Sequence, residues 1–125
     1  MQTILLIEPD AVLARIYNAI LQPKGYNVIL VAGAQDAVVA ADNLKPDLVI
    51  CELQLVSHSG IEFLYEFRSY PDWRDVPVIV LSLVPLVEFN DSLYGLNERL
   101  GVVKYLYKPT TGLAELAREV SYVIG

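Results

Sequence analysis

Five short apolar segments recur along the chain, and a stretch with helical periodicity follows each of them. The segments are TILLI (3–7), NVILV (27–31), DLVIC (47–51), PVIVLS (77–82) and VVKYLY (102–107). They are apolar at successive positions, which is typical of parallel strands buried on both faces. The alternation predicts an α/β fold, a doubly wound five-stranded parallel sheet with five helices. Right-handed crossovers favour the strand order 2-1-3-4-5.

Each predicted helix has apolar residues at three- and four-residue spacing. In chain order they are Val12, Leu13, Ile16, Tyr17 and Ile20; Ala37, Ala40, Ala41 and Leu44; Phe63, Leu64 and Phe67; Phe89, Leu93, Leu96 and Leu100; and Leu113, Leu116, Val120 and Val123. Asp10 is placed to cap the first helix and Gly25 to end it. No repeat or linker divides the sequence, so we expect residues 1–125 to form a single domain.

The composition excludes several classes of protein. No segment approaches the roughly 20 uninterrupted apolar residues of a membrane helix, and the N-terminus lacks a basic leader, so we expect a cytoplasmic protein without a membrane partner. The net charge of −6 disfavours direct binding to nucleic acid. Cys51, the single cysteine, is expected to be a small buried residue of a strand.

Four polar residues follow or end predicted strands. Glu8 follows the first strand, Glu52 follows the third, Ser82 ends the fourth and Lys108 follows the fifth. In the predicted strand order these strands are neighbours, so the four side chains should converge. Two carboxylates can hold a divalent cation, while a hydroxyl and an ammonium can bind a phosphoryl group. The alternative is that polar residues end strands only because strand ends meet solvent.

The segments ILLIEPD, PDLVICELQLVSHSG, VPVIVLS and YLYKP resemble the receiver domain of two-component response regulators, in order and over essentially the whole chain. The resemblance implies a CheY-like, flavodoxin-like fold. In that family an acid pair after the first strand and an aspartate after the third hold Mg²⁺, and the aspartate accepts a phosphoryl group from a histidine kinase. Glu8, Ser82, Lys108 and Pro109 match the family's positions, and Tyr105 falls at the aromatic position that changes rotamer on activation.

Three departures from the family's pattern affect the same site. Glu52 stands at the phospho-acceptor position, and Pro9 replaces the second acid of the pair. Leu83 follows the switch hydroxyl, where the family has a small residue, and is expected to cover the pocket. Asp10 could replace the missing acid but is expected to cap a helix. We therefore expect no cofactor and no metal, with at most weak Mg²⁺ binding at Glu8 and Glu52.

These departures favour a pseudo-receiver, a protein–protein signalling module of a two-component or phosphorelay pathway that does not need phosphorylation. Glu52 would reach Lys108 and Ser82 and hold the pocket in one state; whether it mimics the phosphorylated residue or is a relic stays open. One alternative is a working Mg²⁺-dependent phospho-acceptor receiver. Another is a structural docking or dimerisation domain of a longer regulator. No catalytic triad or glycine-rich phosphate loop is evident, so we do not predict an enzyme.

The segment from Leu81 to Phe89 is almost entirely apolar, which predicts either a contact surface or a loop folded inward over the pocket. Candidate interface residues are Val84, Leu86, Val87, Tyr94 and Tyr107. The resemblance implies a histidine kinase, effector or output domain as partner, and a possible homodimer through helix 4, strand 5 and helix 5. We expect His58 to be an exposed loop residue, whereas Trp73 is either a surface anchor or a lid on the third helix. The sequence does not identify the kinase, the output, the oligomeric state or whether the chain is free-standing.

Overall fold

The computed structural model of the chain describes residues 1–88 and 93–125. Within them, five strands alternate with five helices, as predicted. The strands are β1 (Thr3–Ile7), β2 (Asn27–Val31), β3 (Leu48–Cys51), β4 (Val78–Ser82) and β5 (Val102–Tyr107). The helices are α1 (Ala11–Leu21), α2 (Ala34–Asn43), α3 (Gly60–Ser69), α4 (Leu93–Leu100) and α5 (Leu113–Ile124). No helix of the described residues is long and apolar enough to cross a membrane.

The strands form one parallel sheet in the order β2-β1-β3-β4-β5, which confirms the predicted topology. At their carboxyl ends β1 is level with β3 and β4 is level with β5, while β4 runs two residues beyond Val80, which lies opposite Cys51. Ile7 lies opposite Cys51, and Ser82 lies opposite Tyr107. The residues that directly follow these strands therefore meet at one edge of the sheet, as the sequence predicts.

Helices cover both faces of the sheet. One core contains buried side chains of α2, α3 and α4, and the other contains buried side chains of α1 and α5. Phe63 and Phe67 of α3 are among the largest fully buried residues. Trp73 is buried and stacks on Phe67 with 4.8 Å between ring centroids, so it is a lid on α3 and not a surface anchor.

Two expectations about burial need correction. The edge strands β2 and β5 are only partly buried, because each has a neighbour on one side alone. In α1 the buried stripe runs through Ala14, Tyr17 and Leu21, whereas Val12 and Ile16 are exposed. The apolar residues of α1 span a wider arc than the sheet and α5 can cover.

The predicted boundaries also differ at several points. Leu44 lies just past the end of α2 and is exposed, and Leu113 is exposed in the first turn of α5. Gly25 ends the short 3-10 turn that follows α1, with a left-handed φ of 97°. Phe89, predicted for the fourth helix, lies outside the described residues.

Candidate functional site

The two acids at the centre of the site are held by the hydrogen-bond pattern of the sheet. The amide of Glu8 donates to the carbonyl of Val31 at 3.0 Å, and the amide of Glu52 donates to the carbonyl of Ile7 at 3.0 Å. Each backbone thus continues the pairing one residue past its strand. The Glu8 and Glu52 residues are only 4% and 3% exposed. Two acids this buried need partners, because an unpaired buried charge is strongly unfavourable.

Both oxygens of the Glu52 carboxylate are fully hydrogen-bonded. Oε1 accepts from the Lys108 ammonium at 2.7 Å and from the Leu83 amide at 3.1 Å. Oε2 accepts from the Gln54 amide at 3.0 Å and from the Ser82 hydroxyl. These four donors include the hydroxyl and the ammonium that the sequence predicts at strand ends.

Lys108 also pairs with the second acid. Its Nζ lies 2.7 Å from Glu8 Oε1, and both side chains are buried. The other Glu8 oxygen, Oε2, accepts from the amide of Asp10 at 3.0 Å. A single ammonium therefore bridges two buried carboxylates, and the three side chains together carry one net negative charge.

This network changes the acidity of its members. Burial alone would raise the pKa of Glu52, but the hydrogen bonds from Lys108, Ser82 and two backbone amides outweigh it and hold that pKa below its usual value. Burial alone would lower the pKa of Lys108, yet its hydrogen bonds to Glu52 and Glu8 raise it. Glu52 and Lys108 therefore both stay charged at neutral pH.

The site is tied to the loop that follows β4. The Ser82 hydroxyl accepts from the amide of Val84 at 3.0 Å, and the Tyr105 hydroxyl donates to the carbonyl of the same residue. Burial raises the pKa of the Tyr105 phenol, and the negative charges of Glu52 and Glu88 add to that rise. The phenol therefore remains a proton donor, and it links β5 to the loop beside the carboxylate.

The loop after β3 is fixed by close backbone contacts. The amide of Gly60 donates to the carbonyl of Leu53 at 2.8 Å, and a Cβ at Gly60 would lie 2.6 Å from the Leu53 Cα. Only glycine allows α3 to begin so close to the end of β3. Ser59 caps α3 through the amide of Glu62 at 3.1 Å, and a β-bridge joins Gln54 to Ser59.

The donor set does not fit the Mg²⁺ that the family resemblance implies. Glu8 and Glu52 already share Lys108, and Pro9 has no carboxylate. Asp10 Oδ1 accepts from the amides of Val12 and Leu13 at 2.9 and 3.1 Å, which confirms it as the cap of α1. In residues 1–88 and 93–125, no three His, Cys, Asp or Glu side chains are grouped to hold a metal ion. Mg²⁺ requires near-ideal octahedral oxygen ligation, which these groups do not provide.

The apolar segment after β4 divides into buried and exposed parts. Leu83 directs its amide to Glu52, while its side chain is 51% exposed. Val84 and Leu86 pack partly against the core, so they offer little of the interface predicted for them. The exposed members of the predicted interface are Val87, Tyr94 and Tyr107. His58 is exposed in the loop after β3, as expected.

Sequence reasoning found the polar side chains of the site but missed its backbone donors. The amides of Asp10, Gln54 and Leu83 each bind a carboxylate oxygen. Every residue except proline carries such an amide, so the amino-acid types contain no sign of this role. The positions of these amides did indicate the role, since the first residues after parallel strands line the carboxyl edge of a sheet.

The model of one protein family, the response regulator receiver domain, matches residues 4–120. KdpE of Escherichia coli, the KDP operon transcriptional regulatory protein, is 34% identical over 116 residues, covering 93% of this chain and 48% of the relative. TcrX of Mycobacterium tuberculosis, a probable transcriptional regulatory protein, is 30% identical over 107 residues, covering 86% of this chain and 43% of the relative. The chain spans about half the length of the curated relatives it matches.

Solved structures with the same fold agree with this family match. Chemotaxis protein CheY4 of Vibrio cholerae superposes with a TM-score of 0.86 at 20% identity, covering 99% of both chains. A sensor protein from Polaromonas sp. JS666 gives a TM-score of 0.84 at 24% identity, covering 98% of this chain and 95% of that chain. With this fold and a family match along residues 4–120, the chain belongs to the receiver domains of two-component response regulators.

Proposed function

We propose that this receiver domain is a protein–protein signalling module whose state is set by the Glu52 network and not by phosphorylation. One observation carries the proposal: the Glu52 carboxylate is bound by Ser82, Lys108 and the Leu83 amide. Ser82 and Lys108 stand at the positions that contact the phosphoryl group in the family. Glu52 thus takes up the donors that a phosphoryl group would need.

Phosphoryl transfer to Glu52 would have to break this network. Each carboxylate oxygen has two donors, and Lys108, Ser82 and the Leu83 amide would have to leave the carboxylate before they could bind a phosphoryl group. Breaking a buried ion pair is unfavourable until a new negative charge takes the place of the lost partner. Glu52 is also one methylene longer than an aspartate, which displaces the nucleophile from the family's geometry.

A conformation held in this way would fix the surface that partners meet. The hydrogen bond from Tyr105 to the Val84 carbonyl joins β5 to the loop before α4. We propose that partners recognise the face formed by α4, β5 and α5, where Tyr94 and Tyr107 are exposed, and that this face can also form a homodimer. The module would work in the cytoplasm, without enzymatic activity or a resident cofactor.

The partner can be an output domain of the same protein, since the curated relatives are about twice as long as this chain. MtrA of Mycobacterium tuberculosis is named a DNA-binding response regulator. By analogy, contact with DNA would belong to an output domain. The net charge of −6 disfavours such contact by the receiver itself.

The test is a backbone amide NMR titration with Mg²⁺ and then beryllofluoride, a phosphoryl mimic. The response regulator TrrA of Thermotoga maritima has been crystallised in complex with Mg²⁺ and BeF, so this probe suits the fold. We expect the amides of Gln54, Leu83 and Tyr105 not to respond in the natural sequence. The Pro9→Asp/Glu52→Asp double variant restores the family's acids and should give saturable shifts at the same amides. Saturable shifts in the natural sequence would overturn the proposal and favour a Mg²⁺-dependent phospho-acceptor.

A second variant separates a phosphoryl mimic from a relic. Glu52→Gln keeps the size of the side chain but removes its charge. If Glu52 acts as a mimic, amide shifts in this variant should extend through Tyr105 into α4. Shifts confined to residues that bond Glu52 directly would identify a relic with no remaining switch.

A further inference from the structure

We infer that the groove between α2 and α3 is a docking site for a basic amphipathic helix of a partner protein. This surface lies away from the α4, β5 and α5 face proposed above. The inference rests on the shape and charge of the groove and not on the function proposed for the Glu52 site.

The groove has an apolar floor and one acidic wall. It encloses about 500 Å³ and is lined mainly by Val38, Val39, Phe63, His58, Glu62 and Glu66. Phe63 is fully buried beneath it, whereas Val39 is 57% exposed. The groove continues past His58 to Val56, which is 90% exposed. Two exposed valines therefore border this groove and its continuation, where a partner's side chains could bury both.

Charge along this side of the molecule is one-sided. Glu62 and Glu66 line the groove, and the exposed Asp36 lines its continuation. No Lys or Arg is among the described residues that line either part. Lys45, the nearest base in the sequence to α2, forms an ion pair with Asp75 at 3.0 Å. The charge at the groove therefore favours a positively charged partner.

Glu62 and Glu66 give this charge a helical geometry. They are four residues apart on α3, so they lie one above the other on a single face of that helix. Lys or Arg side chains four residues apart on a docked helix would match that spacing, with apolar residues between them facing Val38 and Val39. Laying an apolar helix face into a groove of this kind is a recurrent mode of peptide recognition.

The wall formed by the loop after β3 is already ordered. The Glu52 carboxylate holds the Gln54 amide at 3.0 Å, Gln54 bridges to Ser59, and Ser59 caps α3. A wall fixed before binding loses little conformational entropy when a ligand arrives. A helix is thus expected to bind a preformed groove.

The experiment uses a model peptide built from leucine and lysine only, with leucines at i, i+3, i+4 and i+7. It is titrated into the ¹⁵N-labelled protein at low salt. We expect saturable amide shifts that map to α2, α3 and the loop at His58. A counterpart peptide of leucine and glutamate should bind at least about tenfold more weakly.

Matched variants test the two kinds of contact. Val39→Ser should weaken binding about fivefold, whereas Val12→Ser, at an equally exposed valine on α1, should not change it. Glu62→Gln/Glu66→Gln should weaken binding about fivefold, and less so at high salt. Asp72→Asn/Glu98→Gln removes the same number of charges from exposed positions elsewhere and should leave affinity unchanged.

Four outcomes would overturn the inference. Shifts centred on α1 and α5, or equal weakening by both members of a matched pair, would show that the peptide binds elsewhere or responds only to net charge. Equal affinity for the leucine and glutamate peptide would exclude charge complementarity. Self-association of the free protein that Val39→Ser abolishes, measured by sedimentation, would make the groove a contact between two copies of this chain.

Discussion

At the scale of single residues, Lys108 is the group on which the site depends most. Its ammonium pairs with the buried carboxylates of both Glu8 and Glu52. We predict that Lys108→Met lowers the free energy of unfolding by about 3–5 kcal/mol, because two buried acids lose their counter-charge. Urea denaturation measures this change. Lys104→Met removes a partly exposed ion pair with Glu119 and should lower stability by about 1 kcal/mol or less.

A double-mutant cycle then tests the link between Lys108 and Glu52. In Glu52→Gln/Lys108→Met neither charge of the ion pair remains. Glu8 has lost its partner, as it has in the single Lys108→Met variant. The loss of stability should be smaller than the sum of the two single losses. Additive losses would mean that the 2.7 Å contact contributes nothing to stability.

The sequence predicts the site's side chains because the strand order alone brings the residues after β1, β3 and β5 together. It does not predict which groups pair. The pairing of Lys108 with both acids follows from their burial and from the reach of a long side chain. The role of Asp10 was predicted correctly, since its carboxylate caps α1 and does not replace the acid missing at Pro9.

At the scale of structural elements, Tyr105 couples β5 to the loop before α4. Tyr105→Phe removes the hydrogen bond to the Val84 carbonyl but keeps the ring. We predict a loss of about 1 kcal/mol and faster hydrogen exchange at the amides of Leu83 and Val84. Tyr107→Phe, at an exposed position of the same strand, should change neither. Unchanged exchange in Tyr105→Phe would show that the bonds to Glu52 and Ser82 hold the loop without Tyr105.

Arg68 joins three elements and was not singled out by sequence reasoning. Its guanidinium donates to the carbonyls of Leu100 at 2.8 Å, Trp73 at 2.6 Å and Val76. It thereby connects α3 to the end of α4 and to the segment that precedes β4. Gly101 follows α4 with a φ of 72°, and a Cβ there would overlap the guanidinium.

We predict that Arg68→Lys lowers the free energy of unfolding by about 2–3 kcal/mol. A lysine cannot reproduce the fork of donors that binds three carbonyls, so buried acceptors lose their partners. Arg74→Lys, at an exposed position nearby, is the matched control. Equal melting temperatures for the two variants would contradict the assignment.

Periodicity predicts elements better than it predicts which faces are buried. The segments TILLI, NVILV and VVKYLY coincide with β1, β2 and β5. The partial exposure of β2 and β5 at the sheet edges was missed, because an apolar run looks the same in a central strand and in an edge strand. Likewise α1 was predicted from Val12, Leu13, Ile16, Tyr17 and Ile20, of which Tyr17 lies in the buried stripe whereas Val12 and Ile16 are exposed.

At the scale of the whole molecule, strand order and two-sided packing place α2 and α3 next to each other on one face of the sheet. The acids Glu62 and Glu66 of α3 thereby face the groove between these helices. The sequence predicted this topology because short parallel strands and right-handed crossovers leave few alternatives. The groove between α2 and α3 depends on side-chain packing, which such rules do not describe.

The pH dependence of stability joins the site to the whole molecule. The folded-state pKa of Glu52 lies below its ordinary value of 4.5, so its contribution is complete above that value and is lost as pH falls through the folded pKa. The folded-state pKa of Lys108 lies above its ordinary value of 10.5, so its contribution is complete below 10.5 and is lost as pH rises through the folded pKa. Between these limits the pair contributes a constant amount.

We therefore predict that urea unfolding between about pH 3 and about pH 11 shows a plateau with an acid and an alkaline limb. Glu52→Gln should flatten the acid limb, because the variant has no carboxyl group whose pKa folding can lower. Lys108→Met should flatten the alkaline limb for the corresponding reason. Asp75→Asn is the control, since Asp75 also has a lowered pKa, caused by its hydrogen bond from Lys45, but is exposed and screened by salt. An acid limb that persists unchanged in Glu52→Gln would show that another group causes it. Glu52 would then not be the buried charge around which the site is organised.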